Sequence, residues 1–139
     1  MQGISIKRSI FAKISNKTRK NSMKTILVAE DNESNFILMT YILKRDYQYV
    51  RAKNGKEAVE IVEKGGIDVV LMDIKMPVMD GLEATKAIRE NHPDLPIVAL
   101  TANAFDSDRQ LALEAGCTEF LSKPVSREKC LNTLSKLLN

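Results

Sequence analysis

Two cysteines, a single histidine and no apolar run near the roughly 18 residues that a membrane-spanning helix needs set the first bounds on this sequence. A helical membrane span is excluded. Cys117 and Cys130 make no metal-ligand spacing with each other or with His92, and one pair is no disulfide framework. They are expected to be half-buried thiols in a reducing cytoplasm. His92 stands beside Pro93 in a loop far in sequence from the acidic groups, and no role is assigned to it. Acids are missing from the first 24 positions, which hold Lys7, Arg8, Lys13, Lys17, Arg19, Lys20 and Lys24. With seven of the 21 bases there, the rest of the chain has 14 bases against 18 acids, a net charge of −4. The overall +3 therefore belongs to a tail on an acidic body.

What is present fits one soluble domain: 139 residues, 44% hydrophobic and 28% charged, enough chain to bury a core without staples. The domain boundary is placed at Met23, with residues 1–23 a basic tail or linker and 24–139 the folded unit. In the tail, Ile6, Ile10, Phe11 and Ile14 fall near helical spacing. A disordered arm is the simpler reading, and a basic amphipathic helix on a membrane surface or a targeting segment is the alternative.

From Thr25 short apolar runs alternate with amphipathic segments, the pattern of βα units around a parallel sheet. ILVAE (26–30) is the first strand. Ile37, Leu38, Tyr41 and Ile42 mark the inward stripe of a first helix, and 47–52 is a polar edge strand. Asn54 with Glu57 has capping-box spacing ahead of Ala58, Ile61 and Val62, and Gly65 and Gly66 stop that helix. IDVVLM is the third and most buried strand, followed by a helix turning Leu82, Ala87 and Ile88 inward. PIVAL is the fourth strand. Ser107 and Gln110 again have capping-box spacing, with Leu111 and Ala115 inward and Gly116 at the helix end. TEFLS is the fifth strand, and Ser126 caps a last helix with Leu131, Leu134 and Leu138 on one face.

In such doubly wound sheets the site lies beyond the carboxyl ends of the central strands. There the sequence places Glu30 and Asp31, Asp73, Thr101 and Lys123. Carboxylates brought to one crevice repel unless a cation screens them, and Mg²⁺ with oxygen ligands answers that need. Asp31 and Asp73 are the expected direct ligands, Glu30 acts through a bound water, and the Lys75 backbone carbonyl completes the protein's share. A carboxylate so placed can take a phosphoryl group, provided the added charge is neutralised. Lys123, the Thr101 hydroxyl and the Ala102 backbone N–H supply the donors.

The segments ILVAEDN, VVLMDIKMPVMDG, PIVALTANA and FLSKP resemble the signatures of response-regulator receiver domains of two-component signalling, over residues 25–139. The resemblance implies a flavodoxin-like doubly wound α/β fold with five parallel strands in the order 2-1-3-4-5 and five helices. It also implies a cis Lys123–Pro124 bond, phosphorylation on Asp73, Mg²⁺ as cofactor, and Thr101 and Phe120 as a switch that remodels the surface of helix four, strand five and helix five. The donor is then a histidine kinase or histidine phosphotransfer domain in the cytoplasm. The domain catalyses only its own phosphorylation and dephosphorylation. No specific nucleic acid is expected as a partner, and a monomer or weak dimer is. Lys75 and Asn103 occupy positions that in the family influence the water attacking the phosphoryl group, and Lys75 predicts a long-lived phosphate. AEDNESN, PVMDGLEATKAIR and LTANAF look closest to receivers of hybrid histidine kinases, so the chain reads as a stand-alone receiver or one cut from a longer protein.

Rival readings fare worse. A haloacid-dehalogenase-type phosphatase needs an aspartate two residues after the nucleophile, where this chain has Lys75. A Rossmann-type binder needs a glycine-rich turn after strand one, and AEDNESN has no glycine. A phosphorylation-independent interaction module has no need of a complete pocket. The methionines Met72, Met76 and Met79 have the spacing of core and loop packing rather than of a soft-metal site.

Overall fold

The computed structural model describes residues 23–102 and 106–139. The tail reading and the expectation for Asn103 lie outside them. Five strands, β1 (Thr25–Ala29), β2 (Gln48–Ala52), β3 (Val69–Asp73), β4 (Ile97–Thr101) and β5 (Glu119–Ser122), alternate with α1 (Glu33–Leu43), α2 (Gly55–Lys64), α3 (Gly81–Asn91), α4 (Asp106–Ala115) and α5 (Arg127–Leu138). The strands form one parallel sheet in the order β2-β1-β3-β4-β5, as the resemblance implies. The Lys123–Pro124 peptide bond is cis. No helix among the described residues is long and apolar enough to cross a membrane.

The three central strands are buried on both faces, which is why they read as continuous apolar runs. Side chains alternate along each strand, and the alternation divides the core in two. Leu27, Ala29, Val70, Met72, Ile97 and Ala99 meet residues of α2, α3 and α4. Ile26, Val28, Val69, Leu71, Val98 and Leu100 meet α1 and α5. Strand β2 is the exposed edge that its polar residues predict.

Several local expectations need correction. In α1 the residues Ile37, Leu38 and Tyr41 face solvent, and Met39, Ile42 and Leu43 are buried. Seven of the eight residues from Phe36 to Leu43 are apolar, so spacing alone singles out no face, and packing against the sheet selects one. In α4, Ser107 lies inside the helix rather than at its cap, and Leu111 is exposed while Ala112 and Ala115 are buried. Small residues let that helix lie close to the sheet. Both cysteines are buried rather than half-buried. A complete capping box is present at α3, where the Asp80 carboxylate accepts from Glu83 N at 2.8 Å and Glu83 accepts from Asp80 N at 3.2 Å. At Asn54 only half is made, since Glu57 takes the Lys53 N–H at 2.8 Å instead.

Two glycines fix the loop between β3 and α3. Gly55 N donates to Met79 O at 2.9 Å, and Gly81 N donates to Ile74 O at 2.7 Å. A Cβ on Gly55 would collide with Met79 O, and one on Gly81 with Asp73 O. Within the loop Val78 adopts φ 68°, a left-handed conformation that a β-branched residue tolerates poorly.

Candidate functional site

Because all five strands are parallel, their carboxyl ends share one edge, and the chain delivers its polar residues there. Glu30 directly follows β1 and is only 1% exposed, and its N–H still pairs with Ala52 O at 3.0 Å. The Arg51 guanidinium clamps this turn. It donates to Glu30 O from Nε at 3.2 Å and from Nη2 at 3.1 Å, pairs with Glu33 at 2.7 Å and lies 4.4 Å above the Phe36 ring. Asp73 ends β3 at 5% exposure, and Thr101 ends β4 at 4%. Lys123 follows β5, with its N–H donating to Thr101 O at 2.7 Å.

The Lys123 ammonium stands between two carboxylates, 3.0 Å from Glu30 Oε1 and 3.1 Å from Asp73 Oδ2. The remaining oxygens meet backbone donors: Asn32 N reaches Glu30 Oε2 at 3.2 Å, and Lys75 N reaches Asp73 Oδ1 at 3.3 Å. Glu30, Asp31 and Asp73 each present an oxygen within 4.8 Å of the others, with Asp31 at the exposed side. Burial, reinforced by repulsion from Glu30, pushes the Asp73 carboxyl up to about 6 against the pull of Lys123. Burial works to lower the Lys123 ammonium, but the two carboxylates outweigh it and hold the group above its ordinary value.

Three carboxylates against one ammonium leave two negative charges uncompensated. That is the donor set of a hard divalent cation: oxygen ligands, close convergence and a surplus of charge. The residues present fit such an ion. They line a cleft of about 360 Å³ to which Asn32, Lys75, Thr101, Ala102 and Asp108 also contribute.

Every strand-end residue singled out from the sequence within the described part thus comes to this cleft. Phe120 does not line it. It is half-buried on β5, packed against the α2/α3/α4 core, with the Arg109 guanidinium 5.2 Å from its ring centre. Sequence reasoning missed Arg51 and Asp108. Asp108 Oδ2 accepts from Thr101 Oγ1 at 3.2 Å. The only signal for it was an acid seven residues beyond Thr101, where a helix begins.

A parallel five-stranded sheet in this order, with paired acids, an aspartate, a threonine and a lysine at the ends of β1, β3, β4 and β5, defines a doubly wound α/β domain with an acidic cleft at the strand ends. The family model for the response regulator receiver domain matches residues 26–135, and the chain belongs to that family. It is 41% identical over 121 residues to hybrid signal transduction histidine kinase M of Dictyostelium discoideum, an alignment covering 81% of this chain and 5% of that protein. The chain therefore spans only a small part of that relative's length. Among solved structures, the receiver domain of a Pseudomonas aeruginosa sensor histidine kinase, with a magnesium ion coordinated in its active-site cleft, is 37% identical. Its TM-score is 0.79, with 84% of this chain and 98% of that one covered. The receiver domain of a Saccharomyces cerevisiae response regulator, crystallised with the histidine phosphotransfer protein upstream of it, is 36% identical. There the TM-score is 0.73, with coverage of 84% and 86%.

Proposed function

We propose that residues 24–139 are a phospho-accepting receiver in a cytoplasmic phosphorelay, taking a phosphoryl group from a phosphohistidine protein onto Asp73 in the presence of Mg²⁺. The observation that carries this reading is the Lys123 ammonium held between Glu30 and Asp73 in a cleft where three carboxylates converge. Asp31 and Asp73 would hold the metal directly, with the Lys75 carbonyl, and Glu30 would act through a water. The burial of Glu30 and its engagement with Lys123 and Asn32 N favour that indirect role. When bound, the cation neutralises the carboxylates and one phosphoryl oxygen.

The chain's own groups do the rest. An Asp73 carboxylate oxygen forms the new O–P bond as the P–N bond to the donor imidazole breaks, and the imidazole leaves with the electron pair. The Lys123 ammonium, already within 3.1 Å of Asp73, meets a second phosphoryl oxygen. The Thr101 hydroxyl and the Ala102 N–H bind the remaining charge. Movement of Thr101 toward the phosphoryl group makes room for Phe120, and the surface of α4, β5 and α5 changes with it. The likeness to a receiver crystallised with a histidine phosphotransfer protein, and to a hybrid kinase, supports a donor of that class.

The test is transfer from a phosphorylated histidine phosphotransfer domain, followed by the label on each protein. Label moves to the parent chain with Mg²⁺, and neither to Asp73→Ala nor to the EDTA-treated parent. If the parent binds the donor but takes no label under any condition, the phosphorylation-independent interaction module becomes the better reading.

The lifetime of the phosphate follows from Lys75, whose side chain is exposed at the cleft mouth two residues past Asp73. A long side chain there competes with the attacking water. Lys75→Ala is expected to speed hydrolysis about fivefold, roughly 1 kcal/mol of barrier. Following dephosphorylation of the isolated, phosphorylated domain checks this, and an unchanged or slower rate contradicts it.

A further inference from the structure

Two consecutive residues of α4 hold the two side chains on which the proposed switch turns. Asp108 accepts from the Thr101 hydroxyl at 3.2 Å, and the Arg109 guanidinium covers the Phe120 ring at 5.2 Å. Asp108 also lines the cleft, yet it stands outside the group of Glu30, Asp31 and Asp73 whose oxygens converge within 4.8 Å. Its place is beside the threonine rather than among the metal-binding acids.

We propose that Asp108 is a positioning residue that restrains Thr101 in the unphosphorylated state and must release it before a phosphoryl group on Asp73 is fully bound. The proposal rests on the assignment of Thr101 as a phosphoryl-binding group.

A hydroxyl carries a single proton, so a full hydrogen bond from Thr101 to Asp108 excludes a full one to a phosphoryl oxygen. The bond to be given up has a carboxylate acceptor, and at 3.2 Å it is longer than a full-strength charge-assisted hydrogen bond, so it is a restraint that a phosphoryl oxygen can outcompete. Phosphorylation adds close to two negative charges to a cleft that Asp108 already lines with one, and like charges there oppose the modified state. Both effects act in the same direction. A phosphoryl group shifts the domain only by its differential interaction with the two states, so Asp108 raises the bias that has to be overcome. Arg109 extends the restraint to the second switch residue. Because the two residues are neighbours on one helix, a displacement of α4 that frees Thr101 also lifts the guanidinium from Phe120. The link between cleft and output face then runs through α4 itself, as well as through the space Thr101 vacates.

The experiment titrates Mg²⁺-beryllofluoride, which occupies the place of a phosphoryl group, into the parent and three variants by calorimetry, with the Thr101 methyl signal followed by NMR. Asp108→Ala removes both charge and acceptor and is expected to bind about tenfold more tightly than the parent. Asp108→Asn keeps the size and an acceptor oxygen without the charge, and is expected to fall between the two. Asp108→Glu, which keeps the charge, is expected to return to within about twofold of the parent. The Thr101 signal of metal-free Asp108→Ala should lie displaced from the parent toward the beryllofluoride-bound position, which a merely structural role for Asp108 would not produce. Binding by Asp108→Ala that is equal to or weaker than the parent's overturns the proposal. If that variant does not fold, equal or weaker binding by Asp108→Asn overturns it instead. Failure of the parent itself to bind beryllofluoride overturns the phosphoryl-acceptor reading together with this one, so the two failures are distinguishable.

Discussion

Asp73→Asn is expected to be more stable than the parent in EDTA at pH 7.5, by on the order of 2 kcal/mol, while taking up no phosphoryl group at all. The loss of uptake follows from removing the proposed nucleophile. The gain in stability follows from the charge balance of the cleft. Asp73 ionises at about 6 in the folded domain because it is buried and faces Glu30, against an ordinary carboxylate value near 3.8. A folded-state carboxyl held above its unfolded value costs stability wherever it is ionised. That cost is fully present above about pH 6 and is relieved as the pH falls through 6 toward 3.8. Urea unfolding of the metal-free parent should therefore show stability rising between pH 7.5 and 5, while Asp73→Asn, neutral throughout and able to accept from Lys123 through its amide oxygen, lacks that rise. Mg²⁺ should stabilise the parent at pH 7.5 and leave the variant nearly unaffected. A variant less stable than the parent in EDTA at pH 7.5 would contradict the charge balance described for the site.

Gly81→Ala is expected to destabilise the domain by about 2–4 kcal/mol, although alanine in place of glycine usually helps a helix by about 1 kcal/mol. The sign reverses because the added Cβ would overlap the Asp73 carbonyl oxygen and lie 2.9 Å from Ile74 Cα, both of them backbone and neither able to step aside. Gly81 N also donates to Ile74 O at 2.7 Å, so moving α3 away breaks the bond that closes the loop bearing Lys75. A lower urea midpoint with an unchanged denaturant slope is the expected measurement, together with slower phosphoryl uptake in the fraction that folds. A variant as stable as the parent would contradict the close packing assigned to this turn.

The sheet was legible in the sequence because its central strands are buried on both faces and carry unbroken apolar runs, each followed by a residue with chemistry. The cleft was legible for the same reason: a parallel sheet brings every strand end to one edge, so order along the chain gives proximity in space. Helix faces were less so. In α1 apolar residues run nearly all round, and the inward choice of Met39, Ile42 and Leu43 is made by tertiary packing. In α4 the small Ala112 and Ala115 turn inward while Leu111 does not, the opposite of a ranking by hydrophobicity. Arg51 read as a polar residue of an edge strand, since nothing in its neighbours announces that its guanidinium clamps the Glu30 turn across 21 residues of sequence. Asp108 was hidden in the same way. Its meaning comes from a fold that returns a helix N-terminal turn to the strand end before it.

The central claim is tested most directly by locating the phosphoryl group. The parent is incubated with acetyl phosphate and Mg²⁺, its intact mass is taken, and the acyl phosphate is reduced with borohydride before peptide mapping. A gain of roughly 80 Da, the mass of one phosphoryl group, that requires Mg²⁺, with homoserine at position 73 after reduction, is the predicted result. An adduct at another residue, one that forms equally well in EDTA, or none at all would contradict the account.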